Sequence, residues 1–175
     1  WGTGATSDRA SAAVDAQYGT DVTWDFYKNT FGRNGIGGDG KGSYNRVHYG
    51  NAYNNAFWDD SCFCMTYGDG DGTTFGPLVS LDVAGHEMTH GVTSKTAALT
   101  YSGESGGLNE STSDILGTSV EFYANNPNDP GDYLIGEEFD LAKHQGFRRM
   151  DKPSSDGSSA DCWSATVGQL DVHYS

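Results

Sequence analysis

The sequence predicts an α+β domain in which one long helix packs on a mixed or antiparallel sheet and two further helices follow. Three observations carry that prediction. Ala10, Val14, Tyr18, Val22 and Phe26 recur every four positions, the spacing of a helical face. Short runs of β-type residues, separated by Gly, Asn and Asp, fill 45–67. Helical patterning then resumes twice, from Leu81 and from about Leu108. At 175 residues the chain has room for one domain with a real core. It reads as a single region in three parts: 1–80, 81–125 and 126–175.

The first helix spans 8–31, with Ser7 or Asp8 as its cap. Gly19 inside it costs about 1 kcal/mol against alanine. A glycine-rich connection covers 32–43. Its Gly35-x-x-x-x-Gly40-Lys41 superficially matches a phosphate loop, but Gly42 stands where Ser or Thr must hold magnesium, so it reads as a surface loop. Val47 and Tyr49, then Asn55 to Trp58, then Phe63 to Tyr67 form the extended segments. Asp69-Gly70-Asp71-Gly72 is a turn; Thr73 and Thr74 replace the residues a calcium loop needs next. Ser80 caps a helix over 81–97, and a Gly/Ser connection over 102–107 leads to a helix over 108–124. The remainder, with Pro127, Pro130 and Pro153, reads as irregular.

Ten Lys and Arg against 24 Asp and Glu give a formal charge of −14. That argues against nucleic acid or an anionic membrane as partner. It suits a secreted, extracellular protein whose carboxylates hold hard cations. No stretch approaches the roughly 18 apolar residues of a membrane span, and the chain reads as mature and soluble. The cysteines are odd in number. Cys62 and Cys64 bridge to each other, or all three are free thiols; in the bridged case Cys162 pairs outside this chain.

The chemistry concentrates at His86-Glu87-Met88-Thr89-His90. Residues four apart lie one turn above each other, so both imidazoles reach one metal ion. Glu87 is rotated about 100° away, off the metal but near enough to address a water beside it. A catalytic zinc needs a third protein ligand and an open position. No His lies in 91–98, whereas Gly107-Leu108-Asn109-Glu110-Ser111-Thr112-Ser113-Asp114 offers Glu110 from the next helix. Asp114, four residues on, shares that face and can orient a ligating imidazole. Asn109-Glu110-Ser111 is also a glycosylation sequon, which would need an exposed loop.

These residues resemble the thermolysin family of zinc endopeptidases, and the resemblance covers almost the whole chain. It extends to Val14-Asp15-Ala16, Tyr53-Asn54-Asn55-Ala56-Phe57-Trp58, Tyr67-Gly68-Asp69-Gly70-Asp71-Gly72, Asp82-Val83-Ala84-Gly85 and Glu121-Phe122-Tyr123-Ala124-Asn125. It implies one catalytic zinc on His86, His90 and Glu110, with Glu87 as general base and Asn109 and Asp114 behind the ligands. It further implies that Tyr101 and His173 donate to the oxyanion, with Asp171 orienting His173. Asp171-Val172-His173 looks closer to the pseudolysin branch. Arg148 would bind a substrate carbonyl, and Asn55, Ala56 and Trp58 would meet the substrate backbone. Phe75, Leu78, Val83, Ile135 and Phe147 correspond to the family's hydrophobic pocket. The implied activity is hydrolysis of internal bonds in peptide or protein substrates before a bulky apolar residue.

The same resemblance implies a calcium site of Asp82, Glu121, Asp132 and Glu137 with the Leu134 carbonyl. Leu134 stands where thermolysin has a Glu that helps hold a second ion, so one calcium is expected. Thr3 and Ala5 replace the acids of another site. Family members carry a β-rich segment before the position of Trp1 and a helical lobe after His173, largely absent here. The chain is therefore expected to be part of a nicked or truncated enzyme, with a second chain carrying that lobe as a partner. The competing readings are a compact complete peptidase, a zinc aminopeptidase, and a non-catalytic fragment stabilised by metal.

Overall fold

A computed structural model describes residues 2–142, 144–157, 159–163 and 165. Helix α1 (Arg9–Phe31) begins where the Asp8 carboxylate accepts from the Ala10 amide, 3.0 Å away. It ends at Gly32, whose φ of 67° is the left-handed closure that glycine adopts without penalty. The expected apolar stripe coincides with the buried face only at its end, at Val22 and Phe26. Val14 and Tyr18 are 42% and 44% exposed, while Ala12, Ala16, Gly19, Thr20, Thr23, Phe26 and Tyr27 face inward. This stripe also follows helical spacing, but its first two thirds are small residues, so hydrophobicity does not reveal it. Close approach is the reason: a Cβ on Gly19 would lie 2.4 Å from the Ala84 Cβ.

The sheet is mixed. Strands β1 (Tyr44–Tyr49), β2 (Ala56–Asp59) and β3 (Cys64–Gly68) lie in the order β1-β3-β2, with β1 parallel and β2 antiparallel to β3. All five residues of β3 are buried. Among the described residues β2 has one strand neighbour and so keeps an open edge. Asn45 ties β1 to α1 by donating to the Ala16 carbonyl at 3.2 Å. Cys62 and Cys64 are disulfide-bonded in the turn between β2 and β3, and Cys162 is an exposed free thiol. Asp71 closes the following turn by accepting from the Thr73, Thr74 and Phe75 amides.

Helix α2 (Leu81–Ser94) is the centre, with twelve of its fourteen residues buried among α1, α3, β2 and β3. It stops three residues short of the expected 97; the Lys95 amide closes it onto the Gly91 carbonyl. Helix α3 (Gly103–Ala124) starts five residues before the expected Leu108. Most of the segment read as a Gly/Ser connection is its first turn and a half, with Gly106 and Gly107 buried in it. Here tertiary burial overrides the low helix propensity of glycine. The two helices cross at Gly85 and Gly117, where a Cβ on Gly85 would meet the Gly117 Cα at 2.9 Å.

The C-terminal part is less irregular than expected. It holds the two-residue antiparallel strands β4 (Leu134–Ile135) and β5 (Arg148–Arg149) and a 3-10 turn, Pro153–Asp156. No described helix is long and apolar enough to cross a membrane.

Candidate metal centre and cleft

Helical spacing sets the centre. His86 and His90 sit one turn apart on α2, and their Nε2 atoms are 3.0 Å from each other. Glu110, from the inner face of α3, brings Oε2 to 3.2 Å from His86 Nε2 and Oε1 to 3.4 Å from His90 Nε2. A tetrahedral zinc with ligands about 2.0–2.1 Å away holds them about 3.3 Å apart. The triangle therefore has the size and the N,N,O donor set that zinc accepts.

Each imidazole is held from behind. His86 Nδ1 lies 2.7 Å from Asp114 Oδ1, and His90 Nδ1 lies 2.7 Å from Asn109 Oδ1. These contacts turn both Nε2 atoms toward the triangle. Ser113 adds a hydroxyl 3.2 Å from His90 Nδ1, a neighbour the sequence reading missed although it precedes Asp114 on the same helix. Asn109 is buried in α3, which is incompatible with an exposed glycosylation loop. Arg148 grips Asp114 through two bonds of 2.8 and 2.7 Å, its guanidinium lying along the cleft wall.

Charge follows from this packing. Burial disfavours a charged His86, but its hydrogen bonds to the accepting Asp114 and Glu110 carboxylates and the nearby Glu87 outweigh it and lift its pKa to about 10. Burial alone would raise Glu110, yet His86 and His90 bring it down to about 2. The pocket thus favours positive charge at its centre.

Glu87 points elsewhere. It is 7% exposed and stands outside the triangle, with its Oε2 accepting from the Trp58 amide of β2 at 3.1 Å. Tyr101 is 54% exposed, and its hydroxyl donates to Glu110 Oε1. Asp171 and His173 lie outside the described residues.

A cleft of about 620 Å³ opens over these groups. Asn55, Ala56 and Trp58 line one side, and Leu78, Val83, Ile135 and Phe147 line an apolar hollow. Phe75 is not among the residues that line the cleft. It stands behind the wall, stacked on Phe147 with ring centroids 4.9 Å apart, while Phe139 occupies the wall itself.

A second cluster joins α3 to the loop beyond it. Glu121, Asp132 and Glu137 bring carboxylate oxygens within 4.8 Å of one another. Asp82 is buried beside them and accepts from the Gly136 and Val83 amides. The Leu134 amide donates to Asp132 Oδ1 at 2.6 Å. Burial and like charges, Asp82 foremost, push Glu121 up to about 9 and Glu137 up to about 8. Glu137 Oε2 is buried with no hydrogen-bond partner among the described residues. An orphaned carboxylate oxygen among acids fits a hard cation. Asp129, missed from sequence, joins the same field; burial and then Glu138 push it to about 6.

Comparison with known proteins agrees with this geometry. The family description "Thermolysin metallopeptidase, catalytic domain" matches residues 1–94, and "Thermolysin metallopeptidase, alpha-helical domain" matches 97–175. The two meet between α2 and α3, so the helical domain already begins within this chain instead of following His173. The transglutaminase-activating metalloprotease of Streptomyces mobaraensis is 67% identical over 176 residues, covering 100% of this chain and 23% of that protein. A thermolysin of Alicyclobacillus acidocaldarius is 54% identical over 130 residues, covering 73% of this chain and 23% of its own length. The solved precursor of protealysin, a metalloproteinase from Serratia proteamaculans, superposes with a TM-score of 0.78 at 35% identity, over 94% of this chain and 55% of that one. The chain thus spans about a quarter of the length of these two curated relatives. With both family descriptions matched end to end, the chain belongs to the thermolysin family of metallopeptidases.

Proposed function

We propose that the protein is a secreted zinc-dependent endopeptidase that hydrolyses internal peptide bonds before a bulky apolar residue. The carrying observation is the triangle of His86, His90 and Glu110, sized for zinc and open to the cleft. Zinc held there supplies Lewis acidity toward the scissile carbonyl.

This chain's own residues do the rest. A peptide lies along the open edge of β2 as an added strand, meeting Asn55, Ala56 and Trp58. Its apolar side chain enters the hollow of Leu78, Val83, Ile135 and Phe147, and Arg148 meets a carbonyl. Glu87 takes the proton of the attacking water and passes it to the leaving nitrogen, a transfer worth about 10²–10⁴ in rate. Asp114 and Asn109 hold the imidazoles so that their Nε2 atoms stay inward. Tyr101 and His173, the latter oriented by Asp171, donate to the developing oxyanion, each worth about 3 kcal/mol. Tyr101 must leave Glu110 to do so.

Calcium is the second ion of this reading, held by Asp82, Glu121, Asp132 and Glu137 with the Leu134 carbonyl. Its support is the orphaned Glu137 oxygen. The test of the activity is Glu87→Gln in zinc-loaded protein, assayed on an internally quenched peptide. Hydrolysis falls by about 10²–10⁴ with zinc content unchanged; hydrolysis that survives overturns the assignment.

A further inference from the structure

The cleft has two unlike ends. The Asn55 carbonyl accepts from the Gly68 amide at 3.0 Å, and the Gly68 carbonyl accepts from the Leu78 amide at 3.1 Å. The Asn55 end of β2 therefore abuts the apolar hollow. Past the other end of β2, beyond Trp58, stands Asp60, bonded to Ser94 in the last turn of α2. If the hollow takes the residue after the scissile bond, Asp60 faces residues before it.

Among the described residues three acids line the cleft: Asp60, Glu87 and Glu110. Glu87 and Glu110 have roles in the chemistry, and Asp60 has none so far. We propose that Asp60 is a specificity site for a lysine or arginine side chain on the amino side of the scissile bond; this rests on the peptidase reading above.

The carboxylate is built to hold one direction. Oδ1 accepts from the Trp58 indole at 3.0 Å and the Ser94 hydroxyl at 2.7 Å, and Lys95 Nζ lies 3.4 Å from it. Oδ2 accepts no hydrogen bond among the described residues, and half of the side chain is exposed. Partial burial works against ionisation, but Trp58, Ser94 and Lys95 outweigh it and hold the carboxyl below its ordinary range.

The surroundings already gather cations. Phe63 packs edge-on to Trp58, with ring centroids 5.2 Å apart. Lys41 Nζ lies 5.1 Å and Lys95 Nζ 6.0 Å from the Phe63 ring centre. Lys95 is the chain's own ligand for the site, attached by one half-exposed contact that is easily exchanged. A guanidinium or ammonium on the substrate finds the unoccupied Oδ2 and the aromatic rim together. In an added strand every second side chain points the same way, so one position is selected and its neighbours are not.

The experiment uses three quenched peptides with one apolar residue after the scissile bond. They differ only in carrying Arg, Gln or Glu at positions two to four before it. Zinc-loaded wild type favours Arg over Glu by about tenfold in kcat/KM, the scale of attraction and repulsion at a half-exposed charge. Salt shrinks that ratio. Asp60→Asn brings it to within about twofold of unity, Asp60→Lys reverses it, and Lys95→Ala raises it. Equal rates for the three peptides in wild type, or a ratio unchanged in Asp60→Lys, overturn the Asp60 assignment alone. Hydrolysis of none of the peptides overturns the peptidase reading and this one with it. Should the Asp60 variants fold poorly, the wild-type ratio, its salt dependence and Lys95→Ala decide.

Discussion

At the His86–His90–Glu110 triangle imidazoles face carboxylates, whereas at Glu121, Asp132 and Glu137 carboxylates face one another. Asp114 and Asn109 brace the first cluster from behind, so its geometry stands on hydrogen bonds within the chain. In the second, Glu137 keeps a buried oxygen without a partner, and both glutamates hold their protons well above the usual carboxylate range. The contrast sets donors held in place by hydrogen bonds within the chain against acids that burial and mutual repulsion keep protonated.

Removing a corner of the triangle is the harshest way to break this contrast. His90→Ala leaves two of three ligands, and zinc measured by elemental analysis after dialysis should fall below a tenth of stoichiometric while the far-UV spectrum stays. Retained zinc would show that the ion sits elsewhere. Asp114→Asn spares the triangle but weakens the brace on His86, and zinc affinity should drop about 10–100-fold in a competition titration.

The acidic cluster is tested through pH. Glu121 and Glu137 sit at about 9 and about 8 when folded, above their ordinary 4.5, so the folded protein binds more protons than the unfolded. The stability they contribute is complete below about pH 4.5 and is lost as pH rises through 8 to 9. In chelator, the melting temperature should fall across that window. Calcium should restore it, more at pH 8.5 than at pH 5. A calcium effect equal at both values would separate the ion from these glutamates.

The smallest effect is a sharpening. Glu137→Gln should raise the melting temperature of chelated protein by about 2–4 °C at pH 9 and abolish its response to calcium.

How much of this was legible in the sequence depends on whether a local rule reaches the residue. Four-residue spacing puts His86 above His90 whatever surrounds them, and the same rule pairs Glu110 with Asp114. No such rule identified the buried face of α1. There Ala12, Ala16 and Gly19 face inward, with Ala84 packed directly over Gly19, a fact of tertiary packing that hydrophobicity does not encode. The early start of α3 was hidden for the same reason: Gly106 and Gly107 read as a loop until burial is known. Phe75 is placed on the wall by family resemblance, and its ring stacks on Phe147, which lines the cleft, a contact that no spacing rule reaches. Asp129 and Asp60 belong to no motif, and each meets at least one partner from a distant part of the chain, Asp82 for the first and Ser94 for the second.

The crossing of Gly85 with Gly117 bears on what this scaffold tolerates. The spacing of α2 and α3 at this crossing is fixed by main chain resting on main chain, with the Val120 Cβ close beside it. A methyl group inserted there has nowhere to rotate, so it must wedge the rods apart and carry the Glu110 carboxylate away from both imidazoles. Alanine at either glycine would thus dismantle the centre from behind, leaving every donor atom in the sequence unchanged.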